Sequence, residues 1–315
     1  MAKILTVTLN PALDVTITLD ALRAGHVNRS QGQATHAAGK GLNVAQVLAD
    51  LGNTLTVSGF LGCDNLQPFE ALMQVRGFTD GFIRVPGETR SNLKLVEADG
   101  RVTDVNGQGP EVGEEAQTAL LRRLESLAVG HDAVVVAGSL PRGVSPQWFR
   151  QLLVQLREQG LKVVLDSSGE ALRAGLDAAP WLVKPNAEEL ADALGVPLEE
   201  STARREAVAR LLERGVEHVV LSQGEAGVSW FSSGQTLHAK PPTVRVASTV
   251  GAGDSLVAGM VHGLLSGEPA EQTLRRATAI AAQAVTQVGF GIHDRPQLEC
   301  LQAGVQLTSL HEACR

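Results

Sequence analysis

The sequence predicts an α/β fold, a doubly wound and mostly parallel sheet flanked by helices, and three observations carry that expectation. Short runs rich in Val, Leu and Ile recur along the chain, segments with apolar residues three and four apart lie between them, and glycines follow several of those segments where a helix would stop. Residues 3–9 (KILTVTL) open the series as a strand buried on both faces. Residues 41–51 (GLNVAQVLADL) then read as a helix closed by Gly52, and 55–60 (LTVSGF) as the next strand. Further along, 114–127 and 147–158 have helical spacing, with strands at 132–138 (DAVVVAG) and 161–166 (LKVVLD) and a stop at Gly160. The helix expected over 203–214 carries arginines and glutamates on its outer face, ends at Gly215 and precedes the strand 217–222 (EHVVLS).

Two segments break this rhythm. Residues 14–22 (DVTITLDAL) alternate apolar and polar positions, and 91–107 (SNLKLVEADGRVTDVNG) read as a hairpin turning at 98–101. They are expected to form a small β-structure from insertions at about 12–36 and 88–107 within one domain spanning 1–315, or else to be ordinary surface strands.

With 315 residues, 43% of them hydrophobic, the chain can bury a sizeable core. A formal charge of −7 gives no general basic surface, so nucleic acid and anionic membranes are not expected partners, and an anionic ligand must meet a local positive site. Cys63, Cys300 and Cys314 are far apart with no CxxC pair, which argues against a disulfide framework or a zinc site and fits a cytoplasmic protein. No stretch has the run of apolar residues that a membrane span needs.

Ligands of open α/β sheets bind at the carboxyl ends of the strands, where three glycine-rich loops fall. Residues 37–43 (AAGKGLN) place Lys40 between Gly39 and Gly41 at a helix start, without the spacing of a Walker A loop. Residues 138–141 (GSLP) and 222–227 (SQGEAG) follow strands and read equally well as simple turns. Residues 248–259 (STVGAGDSLVAG) pose a sharper choice: Asp254 is either an N-cap behind two turn-forming glycines, or a reactive carboxylate beside amides exposed for an anion.

Taken with TLNPALD (8–14), ETRSN (88–92) and VKPNAEE (183–189), these motifs resemble, in order and over most of the chain, the PfkB or ribokinase-like family of sugar kinases. Within that family NPALD, TRSN, DSSGEAL (166–172) and WLVKPN (181–186) are most similar to members acting on fructose 1-phosphate, with those acting on tagatose 6-phosphate next. The resemblance implies a large α/β domain with a β-lid, and ATP-dependent phosphorylation of fructose 1-phosphate at its 6-hydroxyl. A tagatose-6-phosphate or fructose-6-phosphate kinase is the alternative, because the bisphosphate product is pseudo-symmetric about its ring. A homodimer paired through the lid edges is expected, with a monomer as the alternative.

The resemblance also implies the site. Asp254 becomes the catalytic base, with Gly251, Ala252 and Gly253 forming an anion hole at a helix N-terminus. Asp14, Gly39, Lys40, Asn43, Arg90 and Ser139 fall on the sugar phosphate, with Arg29 a weaker candidate. Lys184, Asn186, Ser222, Gly224, Gly227 and Thr249 fall on the nucleotide, and Asn186 with Glu189 would organise Mg²⁺ through water, although the same NxxE pattern also describes a capped helix. Residues 277–285 (ATAIAAQAV) offer a small-residue face to adenine or to another helix. A monovalent cation beside the anion hole occurs in some family members; no side-chain pattern singles one out here.

Two other classes compete. A non-catalytic sugar-phosphate-binding protein would have little need of Asp254 with a complete glycine loop. A nicotinamide-dependent dehydrogenase would need a G-x-G-x-x-G turn after the first strand, where this chain has Asn10-Pro11.

Overall fold

A computed structural model describes residues 1–198 and 200–309; Cys314 lies outside them. From edge to edge the main sheet runs Gln306–Ser309, Gln235–Lys240, Val228–Ser232, His218–Ser222, Leu182–Val183, Lys162–Asp166, Ala133–Ala137, Lys3–Thr8, Thr54–Gly62 and Thr79–Asp80, with Ile83–Val85 also paired to Thr54–Gly62. All pairings from His218–Ser222 to Thr79–Asp80 are parallel, and the three beyond it towards Gln306–Ser309 are antiparallel.

Alternate residues of the central strands feed two separate cores, which is what makes the sheet doubly wound. Ile4, Val135 and Val164 pack with the helices Lys40–Asp50, Ala252–Leu265 and Ala270–Ala284. Leu5, Val134, Val136 and Leu165 point the other way, onto Glu114–Ala128, Pro146–Glu158, Gly169–Leu176, Ala187–Leu194 and Ser201–Glu213. Gly52, Gly160 and Gly215 each follow a helix with φ of 88°, 86° and 97°, the left-handed region in which glycine costs least.

A second sheet has the order Gly32–Ala38, Ala12–Leu19, Ser91–Glu97, Val102–Asn106. Its inner pair is parallel and each outer pair antiparallel, so the two chain segments interlock rather than lie side by side. The turn at 98–101 is closed by Gly100 at φ 89°, with Arg101 clasping the Glu97 carboxylate at 2.6 Å. Just before the chain re-enters this sheet at Ser91, Thr89 N–H donates to Asn65 Oδ1 and its carbonyl accepts from Asn65 Nδ2, a two-point clasp onto the turn that follows Thr54–Gly62.

Candidate active site

The carboxyl ends of the parallel strands converge on one crest. Asp166 ends its strand, Lys184 follows Leu182–Val183, Ser222 ends His218–Ser222, and Ser139 follows Ala133–Ala137. Asp166 is fully buried, and its Oδ1 faces both Lys40 Nζ at 3.3 Å and Lys184 Nζ at 3.4 Å. Its Oδ2 is buried with no hydrogen-bond partner. Burial works to lower the Lys40 pKa, but Asp166 first, then Asp254 and Glu189, outweigh it and hold the ammonium above its ordinary value.

Asp254 occupies the third position of the helix Ala252–Leu265, not its N-cap. Gly251 is the cap, at φ 82° and with no side-chain bond, so the capping interpretation of the carboxylate is corrected. The carboxylate instead turns inward, where Asn43 Nδ2 donates to its Oδ2 at 2.8 Å. Burial, then the nearby Asp166 charge, raise its pKa to about 6, against the opposing pull of Lys40, the Asn43 bond and Lys184. The Asn43 Oδ1 is buried without a donor, a second polar atom left open beside the carboxylates.

The glycines have separate physical reasons. A Cβ on Gly251 would sit 2.7 Å and 2.9 Å from ring carbons of Phe290, on top of the backbone cost of its positive φ. A Cβ on Gly253 would meet Lys184 Nζ at 3.4 Å, an ordinary contact, which places the ammonium against the start of the helix without requiring glycine there. Unbonded first-turn amides and a lysine thus meet at one point, the arrangement that holds an anion. Gly39 and Gly41 answer to packing: a Cβ on either would strike the Thr8 side chain, at 2.7 Å and 2.4 Å.

A cleft of about 820 Å³ opens beside that helix. Ser222, Gly224, Gly227 and Thr249 line it together with Ala252 and Gly253, as do Thr278, Ala281 and Ala282 from the small-residue helix. Val244, Val246 and Leu256 give it apolar walls suited to a flat ring. Gly227 is required by the loop, since a Cβ there would lie 2.2 Å from the Ala239 carbonyl oxygen.

Most of the remaining predicted residues have partners within the fold, and at Asn186 these are the ones that the capped-helix alternative expected. Asn186 caps the helix Ala187–Leu194 in a capping box: its Oδ1 accepts from Glu189 N at 2.7 Å, and its own N–H donates to Glu189 Oε2 at 2.8 Å. Arg90 spans three carbonyls, donating to Pro11, Gly107 and Asn10 at 3.3, 3.1 and 3.1 Å. The guanidinium therefore pins the crossing points of the second sheet. Ser139 Oγ accepts from Asn10 Nδ2 at 3.2 Å, and Asp14 accepts from Asn92 across the second sheet at 3.1 Å. Arg29 is exposed and lies outside the Lys40, Asp166, Lys184 and Asp254 cluster. Asp166 itself is the residue that motif reading overlooks; its place at the end of LKVVLD, where ligands gather, is the signal that points to it.

A family model described as pfkB family carbohydrate kinase matches residues 7–297. The chain belongs to that family. Among curated relatives, the 1-phosphofructokinase of Vibrio cholerae is 49% identical over 98% of both chains, and that of Escherichia coli K12 is 48% identical over 97% of this chain and 98% of its own. The solved structure of Escherichia coli phosphofructokinase-2 in complex with potassium superimposes with a TM-score of 0.88 at 29% identity, covering 96% of this chain and 99% of that one. The doubly wound sheet is thus the PfkB kinase fold, and this chain is a kinase. Among the described residues no helix is long and apolar enough to cross a membrane.

Proposed function

We propose that the protein transfers the γ-phosphoryl group of ATP to the 6-hydroxyl of fructose 1-phosphate, giving fructose 1,6-bisphosphate and ADP. The observation that carries this reading is the buried Asp254 carboxylate in the first turn of the helix that walls the 820 Å³ cleft, with Lys184 and Lys40 beside it. The choice of sugar phosphate rests on the Vibrio cholerae and Escherichia coli relatives.

In this reading the base enters the apolar end of the cleft, and Ser222, Gly224, Gly227 and Thr249 hold the nucleotide. The amides of Ala252, Gly253 and Asp254, with Lys184, meet the phosphoryl oxygens as charge spreads over them. Asp254 accepts the 6-hydroxyl proton while that oxygen attacks phosphorus and the bond from phosphorus to the β,γ-bridging oxygen breaks. Asn43 holds the carboxylate in place, and Asp14 reads the sugar hydroxyls. Lys40, Ser139 and the N–H groups of Arg90 not taken by carbonyls receive the 1-phosphate. The second sheet acts as a lid that keeps water from the phosphoryl group, and its exposed strand Gly32–Ala38 pairs with a second copy in a cytoplasmic homodimer.

The donors suit magnesium. Asp166 Oδ2 is buried and unpartnered, and Glu189 keeps one oxygen outside its capping box. Among the described residues no cluster of three His, Cys, Asp or Glu is set to hold a metal; a magnesium ion arriving with the triphosphate would keep several of its waters and need few protein ligands. Asp166, Glu189 and Asn186 would hold it, directly or through water, and it would neutralise triphosphate charge.

Two expected results arise here. Because Asp254 must be ionised to accept a proton and titrates at about 6, kcat/KM should fall about tenfold per pH unit below that value and level off above it. A profile flat down to pH 4.5 would remove Asp254 as the base. Arg90→Ala should raise the KM for the sugar phosphate about tenfold or more with a smaller change in kcat, and Arg90→Lys should not restore it, since one ammonium cannot span three carbonyls. An unchanged KM in steady-state rates would place the phosphate elsewhere.

The function itself is tested by Mg·ATP-dependent ADP release with fructose 1-phosphate, fructose 6-phosphate, tagatose 6-phosphate and fructose. The highest kcat/KM is expected for fructose 1-phosphate. A preference for a 6-phosphate would reverse the sugar's orientation, and no turnover with any of them would overturn the kinase reading.

A further inference from the structure

Asp50 lies at the far end of the helix that begins with Lys40, and both of its carboxylate oxygens are in use. Oδ1 accepts from Arg76 Nη2 at 2.7 Å, and Oδ2 accepts from the backbone N–H of Ile292 at 2.8 Å, 242 residues away in the chain. The Asp50 carbonyl takes a further bond from Arg295 Nη2 at 2.9 Å. The approach is close enough to dictate the residue next to it: a Cβ on Gly291, which has φ 116°, would lie 2.7 Å from Asp50 Oδ2. Gln287 Nε2 closes the same loop on itself by donating to the Gly291 carbonyl at 2.8 Å. One residue before that glycine, the Phe290 ring is packed against Gly251, the cap of the helix that carries Asp254.

We propose that Asp50 is a positioning residue for phosphoryl transfer: it anchors the loop 287–293, and that loop holds Gly251 and the first-turn amides in place through Phe290. The helix Lys40–Asp50 is then a strut tied to the reacting helix at both ends. Near its start Asn43 bonds Asp254 directly, and at its finish Asp50 reaches Gly251 through Ile292 and Phe290. Gly251 sits in a left-handed conformation with no side chain of its own to fix it, so its placement depends on what leans on it. Arg76 gives the carboxylate its direction, which an isolated exposed aspartate would lack. Amides that drift by a fraction of an ångström lose the charge that develops in the transition state more than they lose the resting sugar.

The inference rests on the kinase reading, and its test separates the two. Asp50→Ala, Asp50→Asn and Gly291→Ala are compared with the parent in the full chain, well below their melting temperatures, by steady-state rates and by amide exchange at Ile292. Asp50→Ala and Gly291→Ala should each lower kcat about 10- to 100-fold, with the KM for fructose 1-phosphate within about twofold of the parent. Asp50→Asn keeps an acceptor for the Ile292 N–H but turns its NH2 towards the Arg76 guanidinium, so its kcat should lie between those of the parent and of Asp50→Ala, with exchange at Ile292 slower than in Asp50→Ala. A purely structural role would lower melting temperature and leave kcat per folded molecule intact. That result, or an asparagine variant as impaired as the alanine variant, overturns the inference alone; a parent that turns over no sugar phosphate overturns the kinase reading and the inference with it.

Discussion

Replacing Asp254 with asparagine is expected to lower kcat by about 10²- to 10⁴-fold, the range removed with a positioned general base. Asparagine keeps the shape and the acceptor for Asn43 Nδ2, so affinity for the sugar phosphate in calorimetry should change little. Stability should move the other way. The native carboxylate titrates at about 6 rather than near 3.8, so between those values the folded state binds the proton more tightly than the unfolded chain does. Stability therefore falls as pH rises through that window, and above about 6 the full cost, on the order of 3 kcal/mol, is present. The asparagine variant does not carry it. Removing this charge also leaves Asp166 and Glu189 facing Lys40 and Lys184 in balance. The variant should thus melt higher than the parent at pH 8 and at a similar temperature near pH 4, a stability gained where function is lost. A variant that turns over normally, or that melts well below the parent at pH 8, contradicts this account of the carboxylate.

The second large effect is structural and lies two turns along the same helix. A Cβ on Gly259 would fall 2.5 Å from the Ala277 Cα, and one on Gly263 would fall 2.6 Å from the Thr273 side chain. These glycines, four residues apart, let the helices Ala252–Leu265 and Ala270–Ala284 approach at backbone distance. The first contact is with main chain, which cannot rotate aside. Gly259→Val should therefore cost about 3 kcal/mol or more and lower the melting temperature by roughly 5–10 °C. Leu256 and Ala252 on one helix and Thr278, Ala281 and Ala282 on the other wall the cleft, so surviving protein should show a raised KM for ATP. Gly259→Ala should show a smaller version of both effects. A valine variant melting within about 2 °C of the parent would mean that the helices are free to separate there.

Periodicity made the parallel strands and the long helices legible because those signals are local: Val134, Val135 and Val136 must face alternate cores, and Gly160 must turn where a helix stops. The antiparallel hairpin Val228–Ser232 and Gln235–Lys240 escaped the same reading, although Gly234 at φ 77° marks its turn, because a βα rhythm leads one to expect a helix after His218–Ser222. At the site, the family resemblance of the motifs reached Lys40, Lys184, Asn186 and Asp254, and the NxxE pattern offered the cap at Asn186, but the partners of the other three were not legible. Asp254 stands three residues into the helix because Gly251 takes the left-handed cap, a matter of φ rather than residue type. Asp166 gains its meaning only when Lys40, 126 residues away, reaches it. Arg90, which the resemblance assigns to the sugar phosphate, is divided in the fold among the carbonyls of Asn10, Pro11 and Gly107.

The most direct test of the central claim is to follow the product itself. Fructose 1-phosphate carrying carbon-13 at C6 is incubated with the protein and Mg·ATP and observed by carbon and phosphorus NMR. The account predicts that the C6 resonance acquires coupling to phosphorus as one equivalent of ADP appears, while the 1-phosphate signal persists. Coupling absent at C6, or inorganic phosphate released in place of a second sugar phosphate, would contradict it.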